Sequence, residues 1–273
     1  MAASPAYSKA TLLVARLTSG MHERKTQAPG EIDASASRLF DFCPRETALA
    51  AKHRIVRERA IFANLKYMFV IGQAVHDAFQ NYIMGPLGLI YGAWRCHECA
   101  TLSGAYPDNR VRMPAKCPKC RTRQSAERGF NFSYVEDEIV DATCGFVSHP
   151  DGYDDKGNIW EFKSIGGSFA NKPKAEHMVQ VQANMHVQHI VRSAPVKCAR
   201  LVYIEKSALG VLDGVHEFQV PYDRAFAAKH YAKALELAQF FIDGTLPKMV
   251  CESTTCARAD RCGVRAFCAQ EKP

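Results

Sequence analysis

The chain of 273 residues has little of several features that would define other classes of protein. It has no apolar run long enough for a membrane span, and no internal repeat or low-complexity tract. Only 23% of its residues are charged and 47% are hydrophobic, which is not the composition of a disordered chain. The first 22 residues contain no Asp or Glu, which suits a frayed terminus or, as the alternative, a transit peptide. We therefore expect a soluble cytoplasmic protein whose N-terminal segment, 1–34, lies outside one large domain.

Basic residues are in surplus, with a formal net charge of +7. This surplus suits a polyanionic partner such as nucleic acid without requiring one. The basic stretch KHRIVRER, 52–59, could contact phosphates or could be a solvated helix end.

The 11 cysteines are clustered, which in a chain of this size favours metal sites over disulfides. The first cluster, in CHEC and CPKC, consists of Cys96, Cys99, Cys117 and Cys120. Each C-x-x-C turn aims two thiolates at one ion, and the 17 residues between the pairs allow a tetrahedral site. The sequence predicts a structural zinc ribbon inserted at 94–122, with four free or redox-active thiols as the alternative.

The second cluster lies near the C-terminus and consists of Cys251, Cys256, Cys262 and Cys268. Its spacings are wider than those of zinc knuckles, and an iron–sulfur cube tolerates such irregular ligation. A second zinc ion is the alternative. Cys144 and Cys198 stand alone and are expected to be buried as small hydrophobic residues on strands.

Hydrophobic periodicity predicts an alternation of helices and strands, which is α/β order. The predicted helices are 35–52 with a break at Pro44, 60–84, 174–191 and 222–243. The predicted strands are 130–140, 144–149 and 158–164 as a meander, then 199–205 and 214–220 with a DG turn at 213.

The stretch DGYDDKGNIWEFKS, 151–164, carries charged residues on a predicted strand. Side chains alternate along a strand, so Glu161 and Lys163 should share one face while Trp160 and Phe162 occupy the other. The DDKGN turn should bring Asp151 beside residue 161. Two carboxylates near a lysine favour a Mg2+ site for phosphodiester hydrolysis. The alternative is an Asx-turn aspartate with a solvated cross-strand pair.

This hairpin resembles the metal-binding hairpin of the PD-(D/E)XK nuclease superfamily, with Asp151, Glu161 and Lys163 in the motif positions. GQAVH resembles the G-x-x-x-H helix of RecB-type nucleases, which places His76 as a further metal ligand. The resemblance implies a restriction-endonuclease-like core, a central mixed sheet flanked by helices. It also implies that the carbonyl group of Phe162 is a Mg2+ or Mn2+ ligand and that Lys163 positions the attacking water.

EHMVQVQANMH, 176–186, resembles the family's Q-x-x-x-Y helix. Gln180 matches the glutamine, and the resemblance implies that it helps to place the DNA strand or Lys163. Asn184 stands where tyrosine is usual, which removes the basis for assigning a DNA contact to this position.

CPRE, 43–46, resembles the N-terminal cysteine motif of RecB-like exonucleases that hold a [4Fe–4S] cluster, namely the CRISPR-associated exonuclease and AddB-type groups. The resemblance implies that Cys43 joins Cys262 and Cys268, which have the family's spacing. Cys256 is favoured as the fourth ligand, although it lies further upstream than usual, and Cys251 is the reserve. The resemblance covers roughly 35–268 within a nuclease domain over 35–273, and 251–268 is its iron–sulfur segment.

The resemblance implies a single-strand DNA exonuclease in recombination, repair or phage replication, in the cytoplasm of a bacterium or of a viral host. DNA with free ends would be its substrate, and a recombination or replication protein its partner. Two alternatives come from other classes: a non-catalytic DNA-binding scaffold held together by metals, and a redox-sensing regulator.

Overall fold

A computed structural model describes residues 21–27, 34–124, 131–166, 171–206, 214–251 and 258–271. The strands are β1 (Met21–Gln27), β2 (Arg57–Phe62), β3 (Ala93–Cys96), β4 (Leu102–Ser103), β5 (Phe132–Val135), β6 (Ile139–Asp141), β7 (Phe146–Ser148), β8 (Gly152–Tyr153), β9 (Ile159–Ile165), β10 (Cys198–Glu205) and β11 (Val215–Pro221). The α-helices are α1 (Pro44–Lys52), α2 (Ala63–Ala78), α3 (Ala175–Arg192), α4 (Arg224–Asp243) and α5 (Arg265–Gln270). The chain is thus mixed α/β, and no helix within these ranges has the length and apolarity of a membrane span.

The chain divides into two units. The first consists of Met1–Ile32, Arg45–Ala74 and Leu246–Pro273, and the second of Asp33–Pro44 and Val75–Thr245.

The main sheet of the second unit has the strand order β11-β10-β9-β8. β9 and β10 are parallel, whereas β8 and β11 run antiparallel to their neighbours. A parallel pair needs a crossover connection, and α3 supplies it. Helix α3 covers the face of the sheet that carries Ile159 and Ile165 of β9. Because side chains alternate along a strand, Glu161 and Lys163 stand on this same face. Its buried core consists of Tyr153, Ile159, Ile165, Val181, Met185, Val196, Ala199, Leu201, Tyr203 and Val220.

The predicted meander is confirmed only in its first turn, where β6 pairs antiparallel with β7. β5 pairs instead with β3 in the sheet β4-β3-β5, and β9 pairs with β8 and β10 rather than with β7. Alternation within a short strand identifies a strand but not its neighbour, which tertiary contacts select. Cys144 is buried as predicted, but it lies in the turn between β6 and β7. The predicted turn at 213 lies outside the described residues.

The start of the second predicted helix is also different. β2 occupies Arg57–Phe62 and pairs antiparallel with β1, and α2 begins at Ala63. Strand β1 lies within 1–34, which the sequence places outside the folded domain. The pairing joins segments about 35 residues apart, so local periodicity carries no signal for it.

In the first unit, α1 packs against the segment that ends in α5. Leu49, Ala50 and Val264 are buried together, and Cys262 and Cys268 pack against this group. The guanidinium group of Arg45 is buried and donates to the carbonyl oxygens of Pro247, at 2.7 Å, and Glu271.

Candidate functional site

The turn between β8 and β9 fixes the position of Asp151. Asp154 Oδ1 accepts hydrogen bonds from the backbone N–H groups of Lys156 and Asn158, both at 2.9 Å. Gly157 has φ = 82°, a conformation that suits glycine. Asp151 Oδ2 accepts a hydrogen bond of 2.6 Å from the backbone N–H of Phe162. The turn therefore brings Asp151 beside β9, where the sequence predicts it.

Glu161 is fully buried at the centre of the site. Its Oε1 accepts a hydrogen bond of 2.5 Å from Lys163 Nζ, and its Oε2 accepts one of 2.9 Å from Asn184 Nδ2. Asn184 Oδ1 in turn accepts from the Ser148 hydroxyl group at 2.8 Å. A buried carboxylate is costly unless its oxygens have partners, and these bonds provide one for each oxygen. The Glu161–Lys163 pair is thus buried, whereas the alternative interpretation of the sequence has it solvated.

The charges of the site are out of balance. Burial and the negative charge of Glu161 raise the pKa of Asp151 well above its usual range. Burial lowers the pKa of Lys163, but Glu161 and Asp151 outweigh this effect and the net pKa is raised. Two buried carboxylates thus share one ammonium group. A divalent cation with oxygen ligands would relieve this excess of negative charge, so these residues fit the predicted Mg2+ or Mn2+ ion.

His76, near the end of α2, also faces Asp151. Its Nδ1 lies 3.9 Å from Asp151 Oδ2, and its ring meets the ring of Phe162 edge-on at 6.3 Å. Burial, with a contribution from Lys163, lowers the pKa of His76 to about 4. The imidazole is therefore neutral at pH 7, which is the form that binds metals.

The predicted ligands form an open arrangement rather than a closed cage. Among the described residues, the sulfur atoms of four cysteines all lie within 4.8 Å of one another. The ligand atoms of His76, Asp151 and Glu161 are not all this close together. The oxygens of Glu161 already have protein partners. Such an open site is compatible with Mg2+, which usually keeps several water ligands.

Gln180 and Asn184 lie one turn apart on α3. Gln180 is half-buried, whereas Asn184 is completely buried and is the residue that bonds Glu161. The resemblance predicts a role for Gln180. The departure from the resembled pattern at Asn184 is the sequence signal that could have indicated a contact with Glu161.

Two residues of the site were not predicted from the sequence. Gln80 is buried in the π-helical turn Phe79–Met84, and its Nε2 donates to Glu136 Oε1 at 2.9 Å and to the carbonyl oxygen of Asp151 at 2.8 Å. Burial and the charge of Glu161 raise the pKa of Glu136. Glu136 is therefore a third carboxylate near the pair. In the sequence, Glu136 begins an acidic run that directly follows β5. Such a run is also typical of a solvated loop, so it did not indicate a residue of the site.

The four cysteines of the predicted ribbon converge as expected. Cys96 Sγ lies 3.6 Å from Cys120 Sγ, and Cys99 Sγ lies 3.6 Å from Cys117 Sγ. Four thiolates about 2.3 Å from one tetrahedral ion would be about 3.8 Å apart, so the group fits a metal such as zinc. Burial raises the pKa of Cys96 to about 11, which an ion bound to the thiolate would reverse.

The two knuckles repeat one local structure, C-x-x-C-x-T. Ala100 and Arg121, which follow the second cysteine of each pair, both have positive φ, 57° and 67°. Cys99 Sγ lies 3.3 Å from the Thr101 hydroxyl group, and Cys120 Sγ lies 3.2 Å from that of Thr122. The hydrogen bond with Thr101 lowers the pKa of Cys99 to about 6. The threonines therefore stabilise the thiolate form that binds metal.

The cysteines of the predicted iron–sulfur site are described in part. Cys43 directly precedes α1 and is half-buried, as are Cys251, Cys262 and Cys268. Cys256 lies outside the described residues. The ligand set thus stays a prediction.

Likeness to known proteins is distant. No family model matches the chain, and no curated protein does. The alkaline exonuclease LHK-Exo of Laribacter hongkongensis is similar at 15% identity over 86% of this chain and 93% of that chain, with a TM-score of 0.42. The LHK-Exo complex with dAMP is similar at 14% identity over 79% and 88%, with a TM-score of 0.36. A solved structure of SSO0001 is similar at 14% identity over 94% and 96%, with a TM-score of 0.38. Likenesses this distant decide neither the fold nor the activity of this chain.

Proposed function

We propose that the chain is a Mg2+- or Mn2+-dependent deoxyribonuclease, an exonuclease that hydrolyses single-stranded DNA from its ends. The observation that carries the proposal is the fully buried Glu161, ion-paired with Lys163 beside a second buried carboxylate, Asp151. A purely structural site gains little from this arrangement, because an uncompensated buried charge destabilises a fold. Charge that is buried at a cost and left partly unbalanced is typical of a functional site.

Each residue has a proposed task. Asp151, Glu161, His76 and the carbonyl group of Phe162 would hold the cation, which when bound lowers the pKa of a water ligand and stabilises charge on phosphorus. Lys163 is protonated in this environment, so it would donate a hydrogen bond that orients the attacking water and would offset phosphate charge. Gln180 would help to place the strand, and Gln80 would hold Asp151 through its carbonyl oxygen.

The finer parts of the proposal follow from the resemblance of the motifs. The core would be restriction-endonuclease-like, and the Cys96, Cys99, Cys117 and Cys120 group would hold zinc. A [4Fe–4S] cluster on Cys43, Cys256, Cys262 and Cys268, with Cys251 in reserve, would join α1 to the C-terminal segment. Recombination, repair or phage replication would be the setting.

The test is cleavage of end-labelled single-stranded DNA by protein prepared without oxygen and supplied with Mn2+. We expect the wild type to release short products, and Glu161→Gln, which keeps the size of the side chain, to lose at least about 100-fold in rate. Glu217→Gln is the matched control, since Glu217 is an acidic residue of β11 that pairs with Arg200 on the surface. An inactive wild type, or equal cleavage by wild type and Glu161→Gln, would contradict the proposal.

A further inference from the structure

Tyr203 and His177 form a hydrogen-bonded pair next to Lys163. In the parallel register of β9 and β10, Tyr203 is the partner of Lys163, so the two side chains stand on the same face of the sheet. Tyr203 is fully buried, and its hydroxyl oxygen lies 2.8 Å from His177 Nδ1. The same oxygen accepts a hydrogen bond of 3.0 Å from the backbone N–H of Lys174. The sequence motifs give neither His177 nor Tyr203 a role.

This pair can fix which nitrogen of His177 carries the proton. Burial, with a contribution from Lys163, lowers the pKa of His177 to about 4, so the ring is neutral and has one N–H group. The Tyr203 oxygen already accepts from Lys174, and its own proton can be donated to Nδ1. In that arrangement Nε2 is the N–H donor of His177.

The surroundings of His177 suit an anion. Lys163 is the register partner of Tyr203, and the backbone of Lys174 bonds the same hydroxyl group as His177, so both lysines are close to the ring. The charges of both lysines lower the pKa of His177, and the charge of Glu176 raises it. The ring lies in the first turn of α3 and is partly exposed, so an outside ligand can reach it. A neutral N–H donor in a positive field is suited to a phosphate oxygen.

We propose that His177 Nε2–H binds a phosphate that flanks the cleaved bond, and that Tyr203 is the positioning residue that holds the ring in the required tautomer. This inference rests on the proposed nuclease function. A flanking phosphate fits better than the one that is cleaved, because Tyr203 stands on β10, about 4.8 Å from the strand of Glu161 and Lys163.

A second pair on α3 provides the matched control. His186 Nδ1 lies 2.8 Å from the Tyr222 hydroxyl group, the same distance as in the first pair. His186 is buried, however, and the charges that act on it come from His189 and Arg224 rather than from Lys163. The two pairs thus share their geometry and differ in their surroundings.

The experiment combines kinetics with a double-mutant cycle. We expect His177→Ala to lower kcat/KM for single-stranded DNA by about 10- to 150-fold, the range for a hydrogen bond to a charged group. Tyr203→Phe should cost less, and it should cost nothing more when His177 is already alanine, because its effect passes through His177. Thermal unfolding reports the stability of each variant. His186→Gln and Tyr222→Phe should lower stability without changing kcat/KM per folded molecule.

Modified DNA identifies the contact directly. Oligonucleotides with one neutral methylphosphonate on either side of the cleaved bond should reveal a position that costs the wild type at least tenfold and costs His177→Ala nothing more. If no position behaves in this way, or if the His177 and His186 variants have equal effects, the inference is overturned.

Binding separates this inference from the proposed function. Anisotropy of a labelled oligonucleotide, measured in EDTA, requires no cleavage. A wild type that binds but does not cleave would contradict the nuclease proposal, and weaker binding by His177→Ala alone would still support the phosphate contact. A wild type that cleaves, with unchanged binding and kinetics in His177→Ala, would overturn the phosphate contact alone.

Discussion

At the scale of single residues, Asn184 is one of the groups that allow Glu161 to be buried. The family pattern has tyrosine at this position, and the chain has a smaller amide that fits completely inside the second unit. There it donates to Glu161 and accepts from Ser148. The side chain thus satisfies one oxygen of a buried carboxylate, and a DNA contact would require it to be exposed.

We predict that Asn184→Ala lowers the free energy of unfolding by about 2 kcal/mol, because it leaves Glu161 Oε2 buried without its donor. Urea denaturation of the metal-free protein measures the change. Ser148→Ala is the control, since it removes only the outer bond and should cost about 1 kcal/mol. Equal losses in the two variants would contradict a special role for the bond to Glu161.

The pKa of His76 leads to a prediction for acid stability. It is about 4 in the folded chain against an ordinary value of 6.5, so between these values the unfolded chain binds more protons. The contribution of His76 to stability is therefore complete above pH 6.5 and is lost as the pH falls towards 4. The raised pKa of Asp151 acts in the opposite direction, because protonation favours its folded form.

We therefore expect His76→Asn to lose less stability than the wild type between pH 6.5 and 4.5. Thermal unfolding in EDTA at several pH values measures the difference. His149→Asn, a substitution at an exposed histidine, should follow the wild type. Parallel curves for wild type and His76→Asn would show that the pKa of His76 does not differ between the folded and the unfolded chain, which would contradict the prediction.

At the scale of elements, the β8–β9 hairpin depends on the conformation of one turn residue. Gly157 has φ = 82°, and the turn it closes sets the register in which Gly152 faces Trp160. That register in turn places Asp151 against the backbone of Phe162. The position of the Asp151 carboxylate, a proposed metal ligand, is thus set by a glycine six residues away.

We predict that Gly157→Ala destabilises the protein by about 1–2 kcal/mol, the cost of a left-handed conformation for a residue with Cβ. It should also raise the Mn2+ concentration that gives half-maximal cleavage, because Asp151 would be displaced. Titration of the cleavage rate with Mn2+ measures this concentration. Gly166→Ala is the control, because Gly166 directly follows β9, has no positive φ and has open space where the methyl group of alanine would lie. An equal loss of stability in Gly166→Ala would show that replacing either glycine destabilises the protein, and that the turn at Gly157 has no special effect.

Elements with long periodic patterns could be predicted from the sequence. Helices α3 and α4 differ from their predicted bounds by at most two residues, since apolar spacing marks both and the Asp223 side chain caps α4 by accepting from the N–H of Phe226. Alternation along β9 likewise predicted that Glu161 and Lys163 share a face. The partners of β5 and β2, and the contacts of Gln80 and Asn184, depend on residues distant in sequence, and no local pattern contains them.

At the scale of the whole molecule, the cysteines fall into two separate predicted metal sites. The ribbon group is assembled in the described structure, and the second set includes one residue outside it. Because metal binding orders the segments that supply the ligands, each site should stabilise its own part of the chain.

We predict that a cysteine variant loses the metal of its own site and keeps the metal of the other site. Metal analysis of the purified variants measures this. Cys120→Ser should lose zinc and keep iron, whereas Cys268→Ser should lose iron and its visible colour and keep zinc. Cys198→Ser, at a buried cysteine outside both groups, should keep both metals. Loss of zinc from Cys268→Ser, with no iron in the wild type, would instead indicate a second zinc site.

The buried Arg45 has a practical consequence for preparing the protein. Its guanidinium group is held by carbonyl oxygens of Pro247 and Glu271, and the Glu271 carboxylate also bonds Lys52 and His53. Trimming the chain before Glu271 would remove one of the two carbonyl acceptors of this buried cation. Expression clones shortened at this end should therefore give poorly soluble material, and an affinity tag there should follow a spacer.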